Sequence, residues 1–183
     1  MDATDATNAA TSASACGPPA CTSLHRINTT CMLAPLDKHI LAVIQSNARL
    51  SHTELASHVD STPTSCRNRL QHLERAGYIL DYTALLDPVK LGMPLLMFIE
   101  ITLDRTHPEA FGRLPKVLSE VPEVLECHRV TGKFDFLVKM RAKDVSACTA
   151  FLSSMLHACP GIRRTYTRMV VEEIVCMPGV PLA

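Results

Sequence analysis

The sequence predicts an α+β protein with two folded domains: an N-terminal winged helix-turn-helix and a C-terminal ferredoxin-like βαββαβ domain. Three observations predict it. Ser61–Arg75 reads as one short helix with a start signal, an apolar stripe, a polar and basic face and a stop. Two further helices of suitable length precede it, separated by short turns. Beyond residue 94 the apolar pattern runs strand, helix, strand, strand, helix, strand.

The expected boundaries are a tail over 1–33, a helix-turn-helix domain over 34–88, a linker over 89–94, the βαββαβ domain over 95–177 and a short tail over 178–183. The first residues are rich in Ala, Thr, Ser and Asp and poor in large apolar side chains. Such a segment cannot bury enough surface to offset its ordering entropy, so it is expected to be disordered. Met32, just before the first helix, is an alternative start.

In the first domain, Leu36, Ile40, Val43 and Ile44 give an apolar face to a helix from about Leu36 to Asn47. Ser51 with Glu54 three residues on is a capping box, and Leu55, Ala56 and Val59 form the inner side of the helix it opens. Asp60-Ser61 make the turn. Thr62 caps the third helix, with Pro63 at its first position, where a missing N–H costs nothing. Cys66, Leu70 and Leu73 make its apolar stripe, and Gly77 stops it. Off the stripe lie Thr64, Ser65, Arg67, Asn68, Gln71, His72 and Arg75, donors and acceptors suited to base edges and phosphates. The same pattern would also serve a three-helix bundle with a solvated polar face.

A strand is expected over Tyr78–Leu86, closed by Asp87-Pro88. The second domain opens with the apolar strand Leu95–Leu103, buried on both faces or at a subunit contact. Pro108 opens a helix with Phe111, Leu114, Val117, Leu118 and Val121 inward, in which Pro115 should kink the helix or demand a solvent-side carbonyl. Strands Val124–Thr131 and Phe134–Arg141 are joined at Gly132-Lys133 as a hairpin. Asp144 caps a helix with Val145, Cys148, Leu152 and Met155 or Leu156 inward. Pro160-Gly161 ends it, and a last strand runs from about Ile162 to Val175. This plan leaves one sheet face without helices. Leu96, Phe98 and Glu100 on one side of the first strand, and Leu95, Met97, Ile99 and Ile101 on the other, make both faces mostly apolar, so the bare face calls for a second subunit.

Eighteen basic and eighteen acidic residues give a formal net charge of zero. That excludes a nonspecific nucleic-acid coat or an anionic-membrane binder. A specific DNA reader stays open because charge can be local: Arg67, Arg69 and Arg75 share the third helix, while Glu54, Asp60 and Asp81 lie elsewhere. None of the eight cysteines forms a C-x-x-C pair, so neither a zinc site nor a cofactor is expected. Cys66, Cys127 and Cys148 sit in apolar patterns as small hydrophobes, while Cys16, Cys21 and Cys31 leave a redox sensor open as a minor reading. No leader with a basic start and apolar core is visible, and no apolar run approaches membrane-spanning length, so a reducing cytoplasm is expected. His128 in a strand reads as structural. His52 and His58 do not share a helix face and are poor metal ligands, and His72 could contact phosphate.

Several motifs stand in one order: Leu36-Asp37 with Ile40-Leu41; Glu54-Leu55-Ala56; Thr62-Pro63-Thr64 with Cys66, Arg69, Leu73-Glu74 and Gly77-Tyr78-Ile79; Tyr82 through Pro88; Glu126-Cys127-His128; and Val130-Thr131-Gly132 with Phe134-Asp135-Phe136. In that combination the chain from Leu36 to Val175 resembles the Lrp/AsnC family of leucine-responsive and related transcription regulators. The resemblance implies a DNA-binding first domain. It implies a second domain (RAM/ACT-like) that dimerises, assembles further, often to octamers, and senses an effector, commonly an amino acid. The effector site it implies lies around Gly132, Lys133, Phe134 and Asp135, with Arg129 and Arg168 nearby.

Chemically, N–H groups at a glycine turn can take a carboxylate and Asp135 an ammonium. Alternatively Gly132 only turns the chain and Asp135 only caps it. Arg129 and Arg168 would suit an acidic or more polar effector, or would pair with Asp135 and close the pocket. Leucine specificity is therefore not carried over. On DNA, Thr64, Ser65, Arg67 and Asn68 are expected to reach bases, while Arg69, Gln71, His72 and Arg75 hold or buttress the backbone side. Two rival functions remain: an enzyme resembling siroheme decarboxylases on the same fold, and a sensing or assembly module without DNA binding.

Overall fold

Capping sets where the second and third helices start in the computed structural model, which describes residues 33–176 and 179–182. The expected tail with Met32, Cys16, Cys21 and Cys31 lies outside the described residues. Helices α1 (Pro35–Ser46), α2 (His52–His58) and α3 (Pro63–Arg75) follow the expected pattern. Ser51 Oγ accepts from the Glu54 amide at 3.2 Å, and Glu54 Oε2 accepts from the Ser51 amide at 2.8 Å. The Ser51 amide first, and then the Ser51 hydroxyl, hold the Glu54 carboxyl below the usual glutamate range. After α2, Asp60 takes φ 48° and the Ser61 amide reaches back to Ala56 O at 3.0 Å, which brings α3 round sharply. Thr62 Oγ1 then accepts from the Ser65 amide at 3.2 Å.

At the far end of α3, Gly77 takes φ 76°, its amide bonds Glu74 O and the Tyr78 amide bonds Leu73 O, each at 3.0 Å. This is the Schellman closure, and it needs the left-handed conformation that glycine adopts cheaply. Ile40, Ile44, Leu55, Ala56, Val59, Cys66 and Leu73 form the core of this unit. The chain divides into two compact units, one through Thr83 together with the segment from Gly179, the other over 84–178. Within the first, the Gln45 side-chain amide both donates to Val180 O at 3.0 Å and accepts from the Val180 amide at 3.1 Å.

The expected strand Tyr78–Leu86 does not form. A strand needs a neighbouring ladder, and among the described residues none runs beside it; Leu80, Leu85 and Leu86 are exposed. Instead the Tyr82 hydroxyl donates to Glu74 Oε1 at 2.8 Å and ties the segment back to α3. Burial, with Glu74 adding to it, pushes the Tyr82 hydroxyl up to about 12.

The second unit runs β1 (Leu95–Leu103), α4 (Ala110–Ser119), β2 (Val124–Arg129), β3 (Phe136–Ala142), α5 (Val145–Ala158) and β4 (Ile162–Met169). The sheet order is β2-β3-β1-β4 with every neighbour antiparallel. Met97, Ile99, Ile101 and Leu103 of β1 and Phe136, Val138, Met140 and Ala142 of β3 face the helices, meeting Ala110, Leu114 and Leu118 of α4 and Cys148 and Met155 of α5. Pro115 is tolerated because α4 turns it outward, where the carbonyl it leaves unpaired can meet water.

Several expectations need correction. Val145 is exposed rather than inward, since Cys148, Leu152 and Met155 already fill the seam of α5; of Met155 and Leu156 it is Met155 that is buried. The last strand stops at Met169, not Val175: β1 begins at Leu95, so beyond the Val170 amide bond to Leu96 O there is no ladder to continue. The β2–β3 connection is a six-residue loop, Val130–Asp135, closed by the Val130 amide on Asp135 O at 2.9 Å. On the sheet face without helices the neighbouring strands add charge beside Leu96, Phe98 and Glu100: Arg168 Nε meets Glu100 Oε1 and Lys139 Nζ meets Glu126 Oε1, both at 2.7 Å.

Candidate functional site

The polar side chains of α3 stand on a helix fixed at both ends, and two shallow grooves flank it. One lies between Asp37, Thr62, Ser65, Arg69 and His72, the other between His52, Pro63, Arg67 and Gln71. Thr64 and Asn68 line both, so they form the ridge between the grooves. Among the described residues Arg67, Asn68, His72 and Arg75 are exposed and make no side-chain hydrogen bond within the chain. Unspent donors on a rigid helix are what a partner's acceptors can use.

Three members of the expected set are placed differently from one another. Thr62 spends its hydroxyl on the cap. Arg69 is half-buried, and its Nη1 donates to Asp37 Oδ1 at 2.8 Å. It braces α3 against α1. Arg75 lies in the last turn and lines neither groove. His52 is the residue sequence reasoning missed; its place at the start of α2, beside Pro63 and Arg67, follows from the tight turn at Asp60-Ser61.

In the second unit a concave site of about 240 Å³ surrounds the β2–β3 loop. Gly132, Lys133, Phe134 and Asp135 line it as expected. Gly132 has φ 130°, a conformation other residues rarely adopt. Asp135 Oδ2 accepts from the Leu103 amide at 2.8 Å and the Asp135 amide donates to Ile101 O at 2.9 Å, so the carboxylate is oriented by the end of β1. Thr102, Leu103, Asp104, Arg105 and Arg163 complete the wall. The first four arrive because β1 ends against the loop, and Arg163 because β4 pairs with β1 at that end. The Asp104 carboxyl is held below the usual range, chiefly by the Thr106 amide, with His107 and Arg163 adding to it.

Arg129 and Arg168 are not brought to this site. Arg129 faces the helices, its guanidinium 5.1 Å from the centre of the Phe111 ring, which in turn packs on Phe136. Arg168 sits opposite Phe98 on the helix-free face, with Glu100 on its Nε. Neither pairs with Asp135. Among the described residues no helix is long and apolar enough to cross a membrane, and no three His, Cys, Asp or Glu side chains gather to hold a metal ion.

Comparison with known proteins follows the same division. Residues 33–79 match the winged helix-turn-helix DNA-binding profile, and residues 96–180 match the Lrp/AsnC ligand-binding domain. A leucine-responsive regulatory protein of Escherichia coli (strain K12) is 42% identical over 139 residues, covering 76% of this chain and 85% of that protein. A Neisseria meningitidis transcriptional regulator solved as a complex with L-Met superposes with a TM-score of 0.78 at 32% identity, over 82% of this chain and 97% of that one. An AsnC family regulator from Agrobacterium tumefaciens gives 0.78 at 33% identity over the same shares.

Proposed function

The chain belongs to the Lrp/AsnC family of transcriptional regulators, with a helix-turn-helix DNA-binding domain and a ligand-binding domain, and on that premise we propose how it works. Helix α3 docks in the major groove. Thr64, Ser65, Arg67 and Asn68 reach base edges, while Gln71, His72 and Arg75 engage phosphates and Thr62 and Arg69 hold the helix in place. The observation that carries this reading is the row of exposed, unpartnered donors on a helix capped at both ends.

The second domain binds an amino acid at the Gly132–Asp135 loop. The loop amides take its carboxylate and Asp135 its ammonium. The L-Met complex of the Neisseria regulator supports an amino acid as the ligand class. The protein acts without catalysis, in the cytoplasm, as a homodimer that assembles to higher oligomers such as an octamer. Exposed Leu85, Leu86, Val89 and Leu91 and the apolar part of the helix-free sheet face support self-association. Paired α3 helices then read half-sites about one helical turn apart or a multiple of it. The effector works by favouring one oligomeric state over another.

A mobility-shift titration on the DNA upstream of the protein's own gene, with and without each of the twenty amino acids, tests this reading. Specific binding altered by one amino acid is expected. Absence of binding at moderate salt would overturn it.

A further inference from the structure

The loop pocket holds more charge than an amino-acid zwitterion can match. Its wall carries three cations, Arg105, Lys133 and Arg163, and two carboxylates, Asp104 and Asp135. The carboxylates are already engaged: Asp135 by the Leu103 amide, Asp104 by the Thr106 amide and the nearby Arg163. Among the described residues Arg105 and Lys133 have no anionic partner within the chain. The wall therefore keeps one net positive charge. A neutral zwitterion binds one cation and one anion and leaves that charge unmatched. A ligand carrying one further carboxylate cancels it, and guanidinium groups meet carboxylates in short, strong, often paired hydrogen bonds. The large apolar side chains in the lining are Leu103, itself buried in the core, and Phe134, so charged and polar groups make most of the wall.

We propose that the loop pocket selects an acidic amino acid, a ligand of net charge −1, over neutral amino acids, with Arg105 and Lys133 receiving the side-chain carboxylate. This deepens the effector reading and rests on it. Specificity then lies in cations that β1 and the loop bring together, and the match is one of charge rather than of shape.

Isothermal titration calorimetry of the full-length protein with L-glutamate, L-aspartate, L-leucine and L-methionine tests the proposal. At least one of the two acids is expected to bind roughly tenfold tighter than either neutral amino acid, with the margin shrinking as salt rises. Arg105→Gln with Lys133→Gln should erase most of that margin. Both side chains are on the surface of the pocket rather than in the core, and thermal unfolding of the variant checks that it folds. Leucine or methionine binding as tightly as the acids overturns the selectivity and leaves the effector pocket standing. Binding of none of the four overturns the selectivity and the pocket together. Retention of the full margin in the double variant overturns the assignment of Arg105 and Lys133.

Discussion

The Asp37 carboxylate on α1 holds the Arg69 guanidinium on α3 at 2.8 Å. This contact braces the middle of α3 against α1 and engages the Arg69 guanidinium within the chain. A partly exposed ion pair of this kind contributes modestly to stability, so Asp37→Ala and Arg69→Ala are each expected to lower the unfolding free energy by about 0.5–1 kcal/mol. The double variant should be little worse than either single one in urea unfolding, because both remove the same contact. If Arg69 instead touched phosphate, its loss would spare stability and reduce the salt dependence of DNA binding by about one unit of slope.

Gly161 should tolerate no side chain. Its φ is 103°, and a Cβ there would meet the Cβ atoms of His107 and Ala110 at 2.8 and 3.0 Å. Its carbonyl also accepts from the Asp104 amide at 2.7 Å, so the residue cannot move away without loosening the end of β1. Gly161→Ala is expected to cost about 2–4 kcal/mol in chemical unfolding, combining backbone strain with overpacking. An unchanged midpoint would contradict this.

Stability should fall in acid for a traceable reason. Glu54 is held below the usual range by its bonds to Ser51, and Glu126 by hydrogen bonds from Lys139 and then His128. A carboxyl whose folded pKa is depressed contributes stability that is present above its unfolded pKa and lost as pH falls through its folded value. Thermal midpoints should therefore hold near neutrality and drop as pH passes below about 4.5. In Glu54→Gln, the drop attributable to the cap should be smaller.

Asp135→Asn separates charge from architecture better than Asp135→Ala. The amide oxygen of asparagine can still accept from the Leu103 amide, so the end of β1 stays in place, while the charge offered to a ligand ammonium is gone. DNA affinity should change little and the response to the effector should disappear in a mobility-shift assay. A response of undiminished size would remove Asp135 from the site.

The local chemistry of the first domain was legible residue by residue. Ser51 with Glu54, Thr62 before Pro63 and Gly77 after Arg75 are short-range signals, and each appears as the expected cap. The βαββαβ order was legible from period alone, because Met97, Ile99 and Ile101 are spaced for one face of a strand. What depended on pairing was not. Nothing in Tyr78–Leu86 tells a strand from an extended segment when the neighbour is missing, and β4 stops where β1 runs out of partners. The loop pocket shows the same division. Gly132 and Asp135 were marked by the family resemblance, on a hairpin the sequence pattern already showed. Arg105 and Arg163 lie 25 and 28 residues from the loop and reach it only because β1 ends against the loop and β4 pairs with β1 there, so no local pattern marks them. Arg129 directly precedes the loop and Arg168 lies on the last strand, and both were expected beside the pocket. The alternation of faces sends one to Phe111 and the other to Glu100.

The most direct measurement is the affinity of wild type and Arg67→Ala for the upstream site and for a random duplex of equal length, by fluorescence anisotropy at fixed salt. Arg67 is exposed, unpartnered and on the groove-lining face of α3. A bidentate base contact should make the variant about 1–3 kcal/mol weaker on the specific site and nearly unchanged on the random one. An equal loss on both duplexes would show that Arg67 meets only phosphate, and would contradict the claim that this face of α3 reads sequence.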